Sequence, residues 1–250
     1  MIASDKSFGV KWTSSSRSVT GNVRQVNEDA CLELPAIGLW VVADGMGGHN
    51  AGDVASRAIV DALAEIHPSP RPGTFVDQIE DTLSRVNQVL YDRSIDGSSS
   101  GLCGSTVAVL AVCGTYAVCL WAGDSRIYRR HDMSLEQVTR DHSELQEAVD
   151  NGTSGASADA PAANIITRAV GGTVDLVLDT ELREVSDGDS YLICSDGLYR
   201  ELPDADLASH LRLGPEEACV SLVDQALRGA CIDNATAVVV SFSRTESLSS

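Results

Sequence analysis

Acidic residues stand at the ends of apolar runs in several parts of the sequence. The run "LWVVADG" ends at Asp44 and "SYLICSDG" ends at Asp196. A carboxylate at the end of a buried strand is partly desolvated, which costs free energy unless positive charge neutralises it. A bound divalent cation could neutralise several such groups at once, and carboxylate oxygens are the hard ligands that Mg²⁺ and Mn²⁺ prefer. The residues that share this placement are Glu28, Asp29, Asp44, Asp124, Asp196 and Asp233.

The pair Asp44-Gly45 also has a purely structural interpretation, because Asp-Gly is the strongest short hairpin signal. An ordinary turn, however, does not require the preceding strand to be wholly apolar. In the metal interpretation, Gly45 lets the backbone turn so that its carbonyl also faces the ion, and Gly47 and Gly48 leave room for a ligand to approach. Both interpretations stay open from the residues alone.

Arg24 is the cation that belongs with these acids. It lies four residues before Glu28 in "VRQVNED". If residues 23–29 form a strand, the period-two alternation puts Arg24 and Glu28 on one face. A guanidinium beside a metal cluster can hold a phosphate with two parallel hydrogen bonds. The alternative is a surface arginine paired with Glu28.

The apolar runs and their periodicity predict an α+β fold. Runs of strand length joined by short turns favour antiparallel pairing. Helical spacing predicts helices over 52–66 and 75–90, and a third beginning at Pro215 with acidic residues in its first turn. Two sheets that each need cover predict two packed antiparallel β-sheets flanked by antiparallel helices. The predicted strands are 30–34, 38–44, 105–113, 116–123, 125–130, 175–185, 190–196 and 236–243.

Composition narrows the class of protein. The 250 residues carry a net charge of −18, a field that repels nucleic acid and anionic membranes. Seven cysteines without a C-x-x-C pair argue against structural zinc and favour a reducing cytoplasm. The sequence starts without a signal-peptide pattern, and the apolar stretch after residue 105 is interrupted by a turn, unlike a membrane span. We expect a monomer with one domain over 1–243, a mobile flap at about 140–170 and a disordered tail at 244–250.

Eight segments in order resemble the bacterial metal-dependent protein phosphatases of type 2C, which act on phosphoserine and phosphothreonine. The resemblance covers about residues 5–242. It implies two packed antiparallel sheets flanked by helix pairs, two bound Mn²⁺ or Mg²⁺ ions, and hydrolysis by a metal-activated water. The implied partners are phosphorylated proteins, either a Ser/Thr kinase or its targets, and "SDGLYREL" is similar to phosphatases of systems that control a secretion apparatus. The segments are "VRQVNEDA", "VVADGMGGHNAGDVAS", "GSTVAVLAV", "AGDSRIY", "TRDHS", "NIITRAVGG", "LICSDGLYREL" and "DNATAVVV".

The resemblance implies a role for each acidic residue. Asp44 matches the carboxylate that bridges the two metals, and the Gly45 carbonyl matches a ligand of the first metal, directly or through water. Asp196 and Asp233 match ligands of the second metal. The residues that match outer ligands, acting through coordinated water, are Glu28 and Asp29.

Further positions match or depart from the family pattern. Arg24 matches the arginine that holds the substrate phosphate. Asp124 matches a ligand of a third, weaker metal seen in some members, but many of these have an aspartate where this chain has Arg200, which argues against that metal. Met46 stands where eukaryotic members have a histidine, and bacterial members usually have Met there. The flap usually carries a basic residue near Ala163, and this chain has none there. Two histidines near the motifs, for which structural hydrogen bonding is expected over proton transfer, are His49 and His142.

A rival function lies in the same sequence. "CSDGLYR" fits C-x-x-G-x-x-R, in which Cys194 would be a thiolate nucleophile and Arg200 would bind phosphate. Asp196 inside that loop would repel the phosphate, and Ile193 and Glu201 replace the usual histidine and hydroxyl. A third hypothesis is a phosphopeptide-binding module without activity, and the complete carboxylate set argues against it.

Overall fold

The computed structural model describes residues 2–5, 10–47, 51–67, 71–96, 103–152 and 165–244. The strands in these ranges are β1 (Ile2–Asp5), β2 (Val10–Val19), β3 (Asp29–Leu34), β4 (Leu39–Gly47), β5 (Cys103–Ser105), β6 (Val107–Cys113), β7 (Tyr116–Ala122), β8 (Arg126–His131), β9 (Ser134–Gln137), β10 (Asp179–Glu184), β11 (Ser190–Cys194) and β12 (Ala235–Arg244). The helices are α1 (Ala51–Ala64), α2 (Pro72–Ile95), α3 (Glu144–Asp150), α4 (Asp196–Tyr199), α5 (Asp204–His210) and α6 (Pro215–Arg228).

The strands form two antiparallel sheets. The first sheet has the order β1-β2-β12-β11-β8-β9 and the second has the order β10-β7-β6-β4-β3, with β5 paired to the end of β4. Helices α1 and α2 pack on the second sheet, and α6 packs on β2 and β12 of the first. The fold is therefore α+β, with two antiparallel sheets between helices, as the sequence predicts.

Alternation along single strands builds the layers of this sandwich. In β4, Val41 packs toward α1 and α2, whereas Trp40 and Val42 pack into the layer between the sheets. In β12, Val238 faces that middle layer and Val239 faces α6. A strand that is apolar on consecutive positions is buried on both faces, and this explains the unbroken apolar runs of the sequence.

The predicted helices form where their periodicity and end signals indicate. Helix α6 begins at Pro215, a position in the first turn where a proline costs no hydrogen bond. The same turn carries Glu216 and Glu217, whose negative charges favour a helix N-terminus. Helix α2 has Pro72 at its start and runs to Ile95, five residues beyond the predicted end. None of the helices in the described ranges is both long and apolar enough to cross a bilayer.

The structure decides three local features that the sequence does not predict or leaves open. Strand β2 was not predicted, because serines occupy residues 14–16 and 18 of its ten residues. Residues 21–28 form turns and bends instead of a strand that brings Arg24 to the site. Asp44-Gly45 is not a turn, because β4 continues through both residues to Gly47 and pairs there with β5.

Two predicted boundaries also differ from the structure. The predicted strand 175–185 is shorter, since β10 begins at Asp179. Strand β12 includes residue 244, and the rest of the predicted tail lies outside the described residues, as do Gly48, His49, residues 153–164 of the flap and Ala163 within them.

Candidate metal centre

The predicted site residues, except Asp29, line one pocket at an end of the sandwich. The pocket has a volume of 330 Å³. Its walls combine an acidic set with two arginines and a stretch of strand β4. The lining residues are Arg24, Glu28, Asp44, Gly45, Met46, Gly47, Asp124, Ile166, Asp196, Arg200, Asp233 and Asn234.

The acids reach this pocket from both sheets. Asp44 lies within β4 of the second sheet, and Asp124 lies in the link between β7 of the second sheet and β8 of the first. Asp196 is the first residue of α4, separated from β11 by Ser195, and Asp233 lies just before β12. The sheet ends therefore bring together Asp44 and Asp233, which are 189 positions apart in the sequence.

Hydroxyl groups of the neighbouring strands hold the backbone of Asp44. The Asp44 N–H donates to Thr106 Oγ1 at 3.0 Å, and the Asp44 carbonyl accepts from the Thr106 N–H at 2.9 Å and from the Ser105 hydroxyl at 2.9 Å. Thr106 Oγ1 lies 2.7 Å from Ser125 Oγ. Sequence reasoning did not assign these hydroxyl residues a role, although Ser105 and Thr106 lie in the segment "GSTVAVLAV".

Gly45 is required for close packing, not for a turn. A Cβ at this position would lie 2.1 Å from the Gly52 carbonyl oxygen and 2.7 Å from the Glu28 carbonyl oxygen. The Gly45 N–H donates to the same Glu28 carbonyl at 3.2 Å. The start of α1 and the loop before β3 thus meet on the Gly45 backbone, and any side chain here would separate them.

Asp29 lies behind Asp44, away from the pocket lining. The two are register partners of β3 and β4. Asp29 is 8% exposed, and its Oδ2 accepts hydrogen bonds from Ser195 at 2.7 Å and Thr236 at 2.6 Å. Burial raises the pKa of Asp29 to about 7, against the lowering effect of these two bonds. Its Oδ1 has no hydrogen-bond partner among the described residues.

Several acids of the pocket are largely buried and repel one another, and both effects disfavour their charged forms. Burial is the first cause that raises the pKa of Asp44 well above its usual range, and repulsion from Asp29, Asp196 and Asp124 raises it further. Burial, followed by repulsion from Asp196, raises the pKa of Asp124 to about 7. Carboxylates pressed together in this way are stabilised by a cation placed among them.

Two arginines supply part of that positive charge. Arg24 Nη2 lies 2.7 Å from Asp233 Oδ2, and the Arg24 side chain is 50% exposed. Arg200 Nη2 lies 3.1 Å from Asp196 Oδ2 and 3.5 Å from Asp124 Oδ2. Arg24 therefore reaches the acid cluster as predicted, but its partner is Asp233.

The donor set fits Mg²⁺ or Mn²⁺ if backbone and water oxygens complete it. Among the described residues, no three Asp, Glu, His or Cys side chains are arranged to hold an ion by themselves. A carboxylate has about four lone-pair positions, so Asp196 and Asp233 can keep their arginine partners and still accept an ion. The Gly45 carbonyl and water would then supply the remaining oxygens, which are ligands of the hard type that these ions take.

Comparison with known proteins gives the family. Residues 21–227 match the family model described as protein phosphatase 2C. The chain belongs to the protein phosphatase 2C family. Its relatives include the serine/threonine protein phosphatase PstP of Mycobacterium tuberculosis, strain CDC 1551 / Oshkosh, at 33% identity over 89% of this chain. The chain spans 43% of the length of that relative.

Solved structures of this family have the same fold. PppA, described as a key regulatory component of T6SS in Pseudomonas aeruginosa, shares 43% identity with a TM-score of 0.86, covering 92% of this chain and 96% of PppA. The catalytic domain of PstP in complex with two manganese ions shares 31% identity with a TM-score of 0.81, covering 94% of this chain and 99% of that domain. A member of the 2C family with this fold therefore holds two manganese ions.

The phosphatase 2C fold leaves no place for the cysteine-dependent rival. Cys194 is the last residue of β11, fully buried, and packs toward α5 and α6 instead of lining the pocket. Burial raises the pKa of the Cys194 thiol, which opposes formation of a thiolate. Residues 196–199 form a turn of helix, and Arg200 binds carboxylates. The structure therefore argues against a phosphate loop in this segment.

His142 has a structural role in this family member. Its Nδ1 accepts a hydrogen bond from the Gly123 N–H at 3.2 Å, and its Nε2 lies 3.1 Å from Asp179 Oδ2. Its ring stacks on Trp121, with the ring centroids 6.1 Å apart. Both ring nitrogens are thus engaged at the base of the flap, which agrees with the predicted hydrogen-bonding role.

Proposed function

We propose that this chain hydrolyses phosphoserine and phosphothreonine in proteins, with bound Mn²⁺ or Mg²⁺, and so reverses a Ser/Thr kinase. The observation that carries this proposal is the pocket in which Asp44, Asp196 and Asp233 meet Arg24. Five acids beside two guanidinium groups suit divalent ions together with a phosphate. Membership of the 2C family and the two manganese ions of the PstP domain support the same reaction.

The proposed metal ligands divide between the sheets. Asp44 would bridge two ions, with the Gly45 carbonyl on the first and Asp196 and Asp233 on the second. Bound ions would supply an activated water, and their positive charge would stabilise the negative charge on the phosphoryl oxygens. The hydroxyls of Ser105 and Thr106 fix the Asp44 backbone, so this carboxylate is positioned before substrate arrives. The residues that would act as outer ligands are Glu28 and Asp29.

Arg24 is proposed to bind the substrate phosphate. Its guanidinium has five N–H donors, and the contact with Asp233 occupies Nη2. Arg24 is half-exposed at the pocket, where a phosphate can enter, whereas Asp233 holds it beside the acids. The ion pair thus orients the Arg24 guanidinium so that it can stabilise negative charge on the phosphate in the transition state. The guanidinium remains accessible to substrate.

The proposed partners are phosphorylated proteins, namely a Ser/Thr kinase or its targets. The 43% sequence identity with PppA supports the proposal that the kinase belongs to a system linked to secretion, since PppA is described as a regulatory component of T6SS. We propose that the chain acts as a monomer in the cytoplasm.

The test is hydrolysis of a phosphothreonine peptide by the purified chain. With Mn²⁺ we expect turnover that EDTA abolishes and added Mn²⁺ restores. Asp196→Asn should lower kcat by about 10²-fold or more, because one ligand of the second ion becomes neutral. Released phosphate measured against time gives both quantities.

Cys194→Ser is the matched control. It changes a buried thiol near Asp196 but leaves the pocket lining intact, so activity should stay within about threefold of wild type. EDTA-resistant turnover that Cys194→Ser abolishes would establish the cysteine mechanism instead. A chain that binds phosphopeptide but shows no turnover with either ion would be a binding module.

A further inference from the structure

Arg200 lies between two carboxylates: Asp196, just after β11, and Asp124, in the link from β7 to β8. Its Nη2 is 3.1 Å from Asp196 Oδ2 and 3.5 Å from Asp124 Oδ2. Asp124 is 4% exposed, and both acids and Arg200 line the pocket. The guanidinium therefore occupies the side of the pocket where Asp124 faces Asp196.

Local structure forces residue 200 into this position. Asp196 begins the one-turn helix α4, and the Arg200 N–H donates to the Asp196 carbonyl at 3.0 Å. Residues four apart on a helix lie on the same face. Whatever side chain stands at position 200 thus lies beside Asp196, and a basic one brings its charge to Asp124 as well.

The other charges near Asp124 do not replace this contact. Asp141, the next acid after Asp196 whose charge raises the pKa of Asp124, is held by Arg126 through bonds of 2.9 and 2.7 Å. Arg126 in turn lies over the Tyr199 ring, 3.7 Å from its centroid. Arg200 is thus the guanidinium that the structure places on Asp124.

We propose that Arg200 is a fixed cation that takes the place of a divalent ion between Asp124 and Asp196, so that the chain binds two ions and not three. A guanidinium and a divalent ion repel each other and cannot both occupy the position between these two carboxylates. The ligand role that the resemblance implies for Asp124 is thereby replaced by an ion pair. This inference rests on the proposed metal-dependent function.

The test counts bound Mn²⁺ by equilibrium dialysis of the full chain, with the metal quantified by mass spectrometry. Wild type should bind two ions per chain. Arg200→Asp should bind a third, weaker ion, because it exchanges the cation for a carboxylate on the same face. Adding Asp124→Asn to that variant should return the count to two.

Arg212→Asp is the matched control, since it makes the same change of charge at an exposed arginine outside the pocket, and it should bind two ions. Three ions in wild type, or two in a folded Arg200→Asp, would overturn the inference. If Arg200→Asp does not fold, Arg200→Asn, which also removes the charge, is measured with the same criteria. A wild-type chain that binds no Mn²⁺ would instead refute the proposed function.

Discussion

His142 shows how hydrogen-bond direction fixes the state of one residue. The Gly123 N–H donates to Nδ1, so the proton of the neutral ring lies on Nε2 and faces Asp179. Burial lowers the pKa of His142, although Asp179 opposes the shift. The unfolded chain therefore takes up a proton first as the pH falls below about 6.5. Stability from His142 is present above that pH and is lost as the pH falls toward the folded-state pKa.

His142→Asn should make stability less dependent on pH. Asparagine can still accept from the Gly123 N–H but does not titrate, so between pH 7.5 and 5.5 the variant should lose less stability than wild type. At pH 7.5 it should be less stable by about 1–2 kcal/mol, because the contact with Asp179 is lost. Urea unfolding at both values measures the difference. Exposed His67→Asn is the control and should follow wild type, and an equally steep loss in His142→Asn would contradict the argument.

At the scale of elements, Asn234 joins the loop that carries Arg24 to the loop that carries Asp233. Its Nδ2 donates to the Thr20 and Val26 carbonyls, both at 2.9 Å, and its Oδ1 accepts from the Glu28 N–H at 2.8 Å. The residue is 4% exposed. Three bonds from one buried side chain thus fix the loop that strand periodicity failed to describe.

Asn234→Ala should weaken substrate binding as well as the fold. We expect a loss of about 1–3 kcal/mol in stability and a rise in KM for phosphopeptide on the order of tenfold, since the Arg24 loop is no longer held. Asn87→Ala is the matched control: Asn87 makes three equivalent bonds, to Thr173, Val174 and Gly171, away from the pocket. It should cost similar stability with KM unchanged. An equal rise in KM for both variants would show a general effect of instability.

The sequence predicts those elements whose own residues show that they are buried or where they end. The apolar runs of β4, β6, β11 and β12 are buried on both faces, and the end signals of α6 are local. Strand β2 is not predictable from its own residues, which are rich in serine. It is stabilised by pairing with β12 over its whole length. The 21–28 loop is not predictable either, because its partner Asn234 is more than 200 residues away. The sequence predicts that the acids and Arg24 converge, but which acid each arginine contacts depends on tertiary structure.

At the scale of the whole molecule, the site lies across the contact between the two sheets. Asp44 belongs to the second sheet, whereas Asp196 and Asp233 lie at the ends of β11 and β12 in the first. The middle layer, which includes Trp40 and Leu110, holds the sheets together by apolar packing. Ions bound by ligands from both sheets would add a second link, and folding and metal binding would then be coupled.

Mn²⁺ should therefore raise the thermal unfolding temperature of the wild-type chain. A ligand present at 100 times its Kd stabilises a protein by about 2.7 kcal/mol, which is a shift of several degrees. Asp44→Asn should lose most of this shift, because Asp44 is the proposed ligand from the second sheet. Leu110→Ala, in the fully buried middle layer, should lower the unfolding temperature by the equivalent of about 2–5 kcal/mol yet keep the shift. Calorimetry with and without Mn²⁺ distinguishes the contribution of the apolar layer from that of the bound ions. An undiminished shift in Asp44→Asn would show that ion binding does not depend on that carboxylate.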